Sequence, residues 1–239
     1  MKTLKRCLCW GLILLILSSC GGKEERKQAF FNKGIKLYKE RNYTKAQLEF
    51  KNAIKIDPKF AKAYYMVGLC YYNIKNLREA FKYFYKAVEL DPDLFDAQIK
   101  IGFIYILAKN PKEALKRAEL VLQKEPQNTH ALLLKATALK VQNKRDEAIK
   151  ILQEIISLDP KNVEAYISLA QLYALKKKKD LAEQILKQGL KKLPDNFSLH
   201  LALAGFYESQ KRFQEAESLY KDVIKLAKKD EAKLILVRF

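Results

Sequence analysis

Residues 61–94, AKAYYMVGLCYYNIKNLREAFKYFYKAVELDPDL, form one unit of a pattern that recurs along most of this 239-residue chain. The alanine at the twentieth position of the unit returns every 34 residues without a slip, at Ala46, Ala80, Ala114, Ala148, Ala182 and Ala216. Five prolines keep the same step: they are Pro58, Pro92, Pro126, Pro160 and Pro194. A fixed period of this length indicates one supersecondary unit that is copied head to tail. The sequence therefore predicts an array with an extended surface, which favours binding over catalysis.

Each copy of the unit predicts a helical hairpin. Apolar residues spaced three and four apart in each half indicate an amphipathic helix. The eighth position is always Gly or Ala, and the twenty-fourth is mostly bulky: the bulky residues are Phe50, Phe84, Leu152, Leu186 and Tyr220. A small residue at a crossing lets two helices approach closely, while a large neighbour fills the remaining space. With the prolines near the unit ends, the six blocks are 27–60, 61–94, 95–128, 129–162, 163–196 and 197–230.

The six blocks resemble the tetratricopeptide repeat family, because the alanine and the small residue recur in phase in every block and the large residue in five of the six. The resemblance implies an all-α fold, a right-handed α-solenoid of six helix-turn-helix units. It also implies a scaffold that binds other proteins and is not an enzyme. Pro111 departs from the repeated pattern, but it falls at the start of a second helix, where proline is tolerated.

The N-terminus has the features of an export signal. Lys2, Lys5 and Arg6 precede an apolar run over residues 7–17, which is shorter than the roughly 20 residues that span a bilayer as a helix. A basic start, a short apolar middle and small residues at the exit are typical of a secretory signal. We therefore expect a signal peptide over residues 1–19.

The end of this signal resembles the lipobox of bacterial lipoproteins. Residues 17–21 read LSSCG, and in that family the cysteine is acylated and becomes the first residue of the mature chain. The resemblance implies a covalent lipid on Cys20, followed by a short linker over 20–26, and no other cofactor. Because no aspartate follows Cys20, it implies the periplasmic face of the outer membrane, or the outer face of the cytoplasmic membrane in a Gram-positive host. An ordinary signal with an incidental cysteine and a retained membrane anchor are the alternatives.

No motif for catalysis interrupts the repeats. The sequence contains no paired carboxylates, Ser/His/Asp set, glycine-rich phosphate loop or metal cluster. Its two histidines, His130 and His200, are far apart in the chain. Cys70 lies in an apolar stretch, which favours a small core residue over a nucleophile. We therefore expect no catalytic residues and no metal site.

The family resemblance also implies where a partner binds. In the family, the first helix of each repeat lines a concave groove, chiefly through its second, fifth, ninth and twelfth positions. Such a groove accepts an amphipathic helix or an extended apolar peptide. The alternative is that these side chains only pack against the next repeat. The apolar residues at the matching positions of this chain are Phe31, Ile35, Tyr38, Tyr65, Leu69, Tyr72, Ile99, Phe103, Ile106 and Leu133.

Charge gives a second indication about partners. The formal net charge is +19, and for an exported protein this favours an acidic partner or anionic lipid headgroups over nucleic acid. The alternative is that the lysines only solvate the outer faces. Residues 231–239 are apolar and are expected either to cap the last repeat or to mediate self-association.

Taken together, the patterns predict a membrane-anchored scaffold that binds envelope proteins or peptides. A narrower hypothesis is a resemblance to the pilotin lipoproteins of type IV pili, which help a secretin ring to assemble in the outer membrane.

Overall fold

The computed structural model describes residues 22–226. Within this span the chain forms twelve α-helices and no β-strand. The first helix, α1, covers 22–39. The others are α2 (Tyr43–Ile56), α3 (Ala61–Asn73), α4 (Leu77–Leu90), α5 (Phe95–Leu107), α6 (Pro111–Lys124), α7 (Thr129–Val141), α8 (Arg145–Leu158), α9 (Val163–Leu175), α10 (Lys179–Lys192), α11 (Phe197–Ser209) and α12 (Phe213–Leu226). The all-α solenoid class predicted from the repeat is confirmed.

The chain divides into two compact units after Ile104. In the first unit, α2 packs against α3, and α3 packs against α4. In the second unit, each helix from α6 to α12 packs against the next one, and α9 also contacts α11. Helices that are neighbours in sequence are therefore neighbours in space, which is the packing expected of a repeat array.

The helix crossings depend on the small residues that the sequence places there. A Cβ atom added to Gly34 would lie 2.5 Å from the ring of Phe50, and one added to Gly68 would lie 2.5 Å from the ring of Phe84. The six phased alanines, from Ala46 to Ala216, are all fully buried. Glycine is thus required in the first two repeats because a phenylalanine of the second helix occupies the space of its side chain.

The turn inside each repeat has the same geometry in all six copies. One residue adopts a positive φ, and the next residue donates its backbone N–H to a carbonyl five positions earlier, as Asn42 does to Leu37 at 2.9 Å. This pattern is the Schellman motif that ends many helices. Glycine usually occupies the positive-φ position, whereas here the six residues are Arg41, Lys75, Lys109, Asn143, Lys177 and Lys211.

Asparagine side chains begin many of the helices. The Oδ1 atoms of Asn42, Asn76 and Asn110 accept the backbone N–H three residues later at 3.2 to 3.4 Å. Asn128, Asn162 and Asn196 cap first helices in the same way, each at 3.0 Å. These bonds satisfy backbone donors that a helix start leaves without a partner. Pro111 is the first residue of α6, as its place in the repeat predicts.

Cys70 is a core residue, as expected. Its side chain is 1 % exposed, and burial raises the pKa of its thiol to about 12. At that pKa the thiol stays protonated near neutral pH, which removes the nucleophilic form of the side chain. His200 is also buried, and its Nδ1 lies 3.0 Å from the carbonyl oxygen of Asn196.

Several sequence predictions lie outside the described residues: the signal peptide over 1–19, the lipidation at Cys20 and the segment 231–239. Residues 22–26, which were expected to be part of a linker, are the first described residues of α1 and are helical. Lys27 anchors this first turn, because its Nζ contacts the carboxylates of Glu24 at 2.8 Å and Asp57 at 3.0 Å. None of the helices among the described residues has the length and apolar character needed to cross a membrane.

Candidate partner-binding surface

The predicted groove residues of the first two repeats form one aromatic face. Its members lie on α1 and α3 and are all half-buried: Phe31, Ile35, Tyr38, Tyr65, Leu69 and Tyr72. The first five pack against a core that contains Phe50, Met66 and Cys70. One side of this aromatic face is therefore fixed by the core, and the other side is open to a ligand.

Ring contacts hold the aromatic face in place. Phe31 lies 5.4 Å from the ring centroid of Phe50 and 4.9 Å from that of Phe60. Tyr65 and Tyr72 both contact Phe84, at 5.7 and 6.4 Å. Tilted pairs at these separations are favourable. The same phenylalanines that require glycine at the crossings thus also support the exposed rings.

Tyr38 has a polar contact that orients it on this face. Its hydroxyl accepts a hydrogen bond from Asn73 Nδ2 at 2.8 Å, and the same amide group donates to the carbonyl oxygen of Leu69. Burial raises the pKa of Tyr38, so the hydroxyl stays protonated near neutral pH. The oriented hydroxyl of Tyr38 is one polar group on this face that can contact a partner's backbone.

The remaining predicted groove residues are less uniform. Phe103 and Ile106 on α5 are half-buried. Ile99 on α5 and Leu133 on α7 are each only 4 % exposed. These two side chains are enclosed by their neighbours, so they offer a partner almost no surface. The groove assignment as a whole stays a prediction, which the aromatic face of α1 and α3 supports best.

A second concave region, which the sequence analysis did not identify, lies in the second unit. A cavity of about 220 Å³ opens between α9 and α11, with Leu186 of α10 in its lining. We call it the α9/α11 hollow. The other residues that line it are Ile167, Ala170, Gln171, Ala174, Ala202, Phe206 and Ser209.

Small side chains create this hollow. Alanine occupies positions 170, 174 and 202 on the two facing helices, so neither helix fills the space between them. The groove was predicted from large apolar residues, so a hollow lined by small residues was not predicted. The informative signal was the opposite one, the loss of side-chain volume at the twelfth position of the fifth repeat and the sixth position of the sixth, where Ala174 and Ala202 stand. Gln171 and Ser209 add polar groups to a mostly apolar lining, which suits a ligand that has both kinds of group.

An ion-pair network joins the helices beside the hollow. Arg212 donates to Glu183 at 2.5 and 3.3 Å and also pairs with Glu215. Glu183 further accepts from the hydroxyl of Tyr207 at 2.9 Å and contacts Lys187 at 2.7 Å. The Arg212 guanidinium, with these other donors, lowers the pKa of Glu183 to about 2. The network fixes α10, α11 and the start of α12 relative to one another.

Comparison with known proteins identifies the family. Models of the tetratricopeptide repeat match residues 61–94 and, in three overlapping segments, 105–172, 142–199 and 180–236. The three segments alone span more than half of the chain. The chain belongs to the tetratricopeptide repeat family. Members of this family are typically interaction scaffolds rather than enzymes. No curated protein sequence matches the chain.

Solved structures share the fold at low sequence identity. PilW, described as a widely conserved type IV pilus biogenesis factor, is 18 % identical with a TM-score of 0.72, over 88 % of this chain and 98 % of its own. PilF from Pseudomonas aeruginosa is 16 % identical with a TM-score of 0.68, over 91 % of this chain and 100 % of its own. YrrB, described as having an unusual peptide-binding site, is 19 % identical with a TM-score of 0.50, over 80 % of this chain and 98 % of its own. Identities this low show the fold alone.

Proposed function

We propose that this protein is a non-enzymatic, membrane-anchored scaffold of the bacterial cell envelope that binds partner peptides or helices on its first helices. The observation that carries the proposal is the aromatic face of α1 and α3, which has six half-buried residues, five of them packed against the core. Rigid aromatic rings supply contact area at low entropic cost. The α9/α11 hollow is a second place where a partner's side chain fits.

Membrane anchoring belongs to the same proposal. The lipobox resemblance at Cys20 supports a covalent lipid, and each buried methylene of such a lipid contributes about 0.8 kcal/mol of membrane affinity. Residues 22–39 are helical, so a lipid on Cys20 would hold the aromatic face near the membrane surface. The membrane would be the outer membrane at its periplasmic face, or the cytoplasmic membrane at its outer face in a Gram-positive host.

A narrower candidate is a pilotin-like assembly factor for a type IV pilus secretin or another envelope export complex. It is favoured by the extent of the fold likeness, since PilF and PilW are both covered almost from end to end. PilW is described as a pilus biogenesis factor. The narrower role keeps the same mechanism, in which the aromatic face binds a segment of the assembling protein.

The groove is tested by crosslinking in intact cells, followed by mass spectrometry of the partners. We expect the exchange Leu69→Glu to remove the crosslinked partners, because a carboxylate in the apolar row opposes the docking of an apolar segment. The matched control is Leu48→Glu, which alters an exposed leucine on α2 that is 58 % accessible. Both variants are checked for helix content and melting. An unchanged set of partners in a folded Leu69→Glu variant would refute the groove.

The anchor is tested separately by labelling cells with a palmitate analogue. The wild-type chain should incorporate the label, and Cys20→Ala should not. A labelled Cys20→Ala variant, or an unlabelled wild-type chain in a host with a lipoprotein pathway, would contradict the lipid anchor and leave the groove untouched. Secretin subunits among the crosslinked partners would support the pilotin-like candidate.

A further inference from the structure

The second unit has two sets of turns at opposite ends of its helices. Sequential helices are joined by three or four residues and pack against each other, so they run antiparallel and alternate turns lie at opposite ends. The turns inside repeats form one end and cover 108–110, 142–144, 176–178 and 210–212. The turns between repeats form the other end and cover 125–128, 159–162 and 193–196.

The two ends differ sharply in charge. The turns inside repeats carry seven cations and no carboxylate: the cations are Lys109, Lys144, Lys176, Lys177, Lys178, Lys211 and Arg212. The turns between repeats carry one cation, Lys161, against three carboxylates, Glu125, Asp159 and Asp195. The positive charge of the unit is therefore concentrated where each first helix ends and each second helix begins.

Helix capping does not account for this difference. A helix C-terminus favours cations because its carbonyl groups carry partial negative charge. The second helices also end in the unit, yet two of their C-cap residues are acidic, Glu125 and Asp159. Every turn at either end lies between one helix C-terminus and the next helix N-terminus, so the helix dipoles give neither end a net preference for cations.

Four of the seven cations take part in no salt bridge among the described residues, although the charge of Lys178 also acts on the carboxylate of Asp146. Lys176 pairs with Asp146, Lys144 pairs with Glu147, and Arg212 belongs to the network with Glu183. The other four are Lys109, Lys177, Lys178 and Lys211, which we call the basic edge. All four are exposed to solvent.

Three residues of the basic edge also occupy a costly backbone conformation. Lys109, Lys177 and Lys211 have φ between 56 and 61°, a region that disfavours residues with a Cβ atom and that glycine adopts freely. The chain thus places lysine at positions where glycine would relieve strain. The backbone conformation therefore does not select lysine at these positions, which leaves its charge, attracted by the helix C-terminus or by an external anion, as the property that is used.

We propose that the basic edge of the second unit binds the anionic headgroups of a lipid bilayer. Its four ammonium groups stand on three separate turns, so they are spread along the unit instead of converging on one point. Exposed cations that are spread in this way suit a continuous anionic surface, where each contributes its own attraction. This contact would add a second membrane attachment to the proposed scaffold, and it does not require a lipid on Cys20.

The test is flotation of the full chain with lipid vesicles at low ionic strength. The chain carries Cys20→Ala, so that no lipid is attached. Binding to phosphatidylcholine vesicles reports the apolar N-terminal run, and the extra binding to vesicles that also contain phosphatidylglycerol reports the charges. The variant K109Q/K177Q/K178Q/K211Q keeps side-chain length and removes the basic edge. The control K124Q/K161Q/K191Q/K192Q removes four exposed lysines at or beside the turns of the opposite end.

We expect the starting protein to prefer the anionic vesicles by about tenfold or more. The basic-edge variant should lose most of that preference, and the control should change it by less than about threefold. High salt should abolish the preference, because it screens exposed charges. Circular dichroism confirms that both variants keep their helices.

Three outcomes would overturn the proposal. Equal losses in the two variants would show that only net charge matters, and a full preference in the basic-edge variant would show that the edge makes no contact. If the starting protein shows no vesicle preference but binds polyglutamate through these four lysines, the partner is an acidic protein. None of these results bears on the aromatic face or on Cys20. All the proteins compared have the same aromatic face and the same Cys20→Ala exchange, so neither can cause a difference between them.

Discussion

The aromatic face of the first unit and the α9/α11 hollow of the second both lie mainly on the first helices of their repeats, but one is filled and the other is open. In the first unit, Gly34 and Gly68 admit phenylalanine rings, and those rings support bulky residues on α1 and α3. In the second unit, Ala170 replaces the glycine and contacts Leu186 in a common cluster. Small residues at 174 and 202 then leave a cavity.

The difference shows that equivalent helix crossings in the two units contain different amounts of side-chain volume. Where the second helix contributes a phenylalanine, the interior is full and the first helices present rings outward. Where it contributes a leucine and the first helices contribute alanine, the space remains open. One repeat scaffold can therefore offer a filled aromatic face in one unit and a recess in the other.

The largest effect should come from filling the crossing in the first unit. Gly68→Leu places side-chain atoms where the ring of Phe84 already lies, 2.5 Å from the new Cβ. We expect a loss of about 3 kcal/mol in the free energy of unfolding, measured by denaturant titration.

The double variant Gly68→Leu/Phe84→Ala serves as its control, because removing the ring clears the space. The double variant should recover part of the lost stability relative to Gly68→Leu. If Gly68→Leu alone proves as stable as the wild type, the crossing is not filled as described and the contrast between the two regions fails.

The next largest effect should come from acidification, which should lower the stability of the second unit through Glu183. The folded-state pKa of Glu183 is about 2, below its ordinary value of 4.5, so its contribution is present above pH 4.5 and is lost as the pH falls towards 2. We expect about 2 kcal/mol of stability to be lost over this window. The Glu183→Gln variant should be less stable at neutral pH and should lose less on acidification.

The measurement is the free energy of unfolding at several pH values for both proteins. Tyr207→Phe is a milder companion, because it removes only one of the hydrogen bonds to Glu183. Parallel pH profiles for wild type and Glu183→Gln would show that the network does not set the acid stability of the second unit.

Filling the hollow should have a smaller effect of the opposite sign. Ala202→Leu adds apolar volume to a cavity of about 220 Å³, so we expect a gain of up to about 1 kcal/mol. The same change should weaken any partner whose side chain enters the hollow, measured by the crosslinking assay. A loss of stability would indicate that the lining is already in contact and that the cavity does not open as described.

The smallest effect should come from a glycine in the second unit. Gly205 lies inside α11, is exposed, and has no atom within 4 Å of an added Cβ. Gly205→Ala should therefore stabilise the protein by about 0.5 to 1 kcal/mol, because alanine loses less backbone entropy in a helix. Gly68→Ala is its matched opposite, since the same change at that crossing should destabilise. Thermal melting of the two variants side by side checks the sign of each.

The helices could be predicted well from the sequence because the same repeat pattern occurs six times along the chain. The phased alanines and the glycines at the crossings are explained by close approach, and both roles are visible in the residue types. Pro111 at a helix start and Cys70 in the core followed from similarly local arguments. These features depend on one or two neighbouring residues, which is why a single sequence was enough to predict them.

Features that depend on several residues at once were not predicted. The α9/α11 hollow exists because Ala170, Ala174 and Ala202 are small together, and no one of them signals a cavity. The enclosure of Ile99 and Leu133 likewise depends on the side chains that surround them. At the same repeat position, Phe31 and Tyr65 are only half-buried. Lysine at positive φ contradicts the usual preference for glycine, so the residue type gave no sign of the backbone conformation.

The identical backbone hydrogen bond in every internal turn has a consequence for how the number of repeats can change. Each internal turn is closed by a hydrogen bond to the carbonyl five residues back, and this bond stays within its own repeat. A whole repeat can therefore be gained or lost without altering the turn hydrogen bonds of its neighbours. A gain of one or two residues would instead rotate every later side chain away from its partner, so duplication in steps of 34 is the tolerated route.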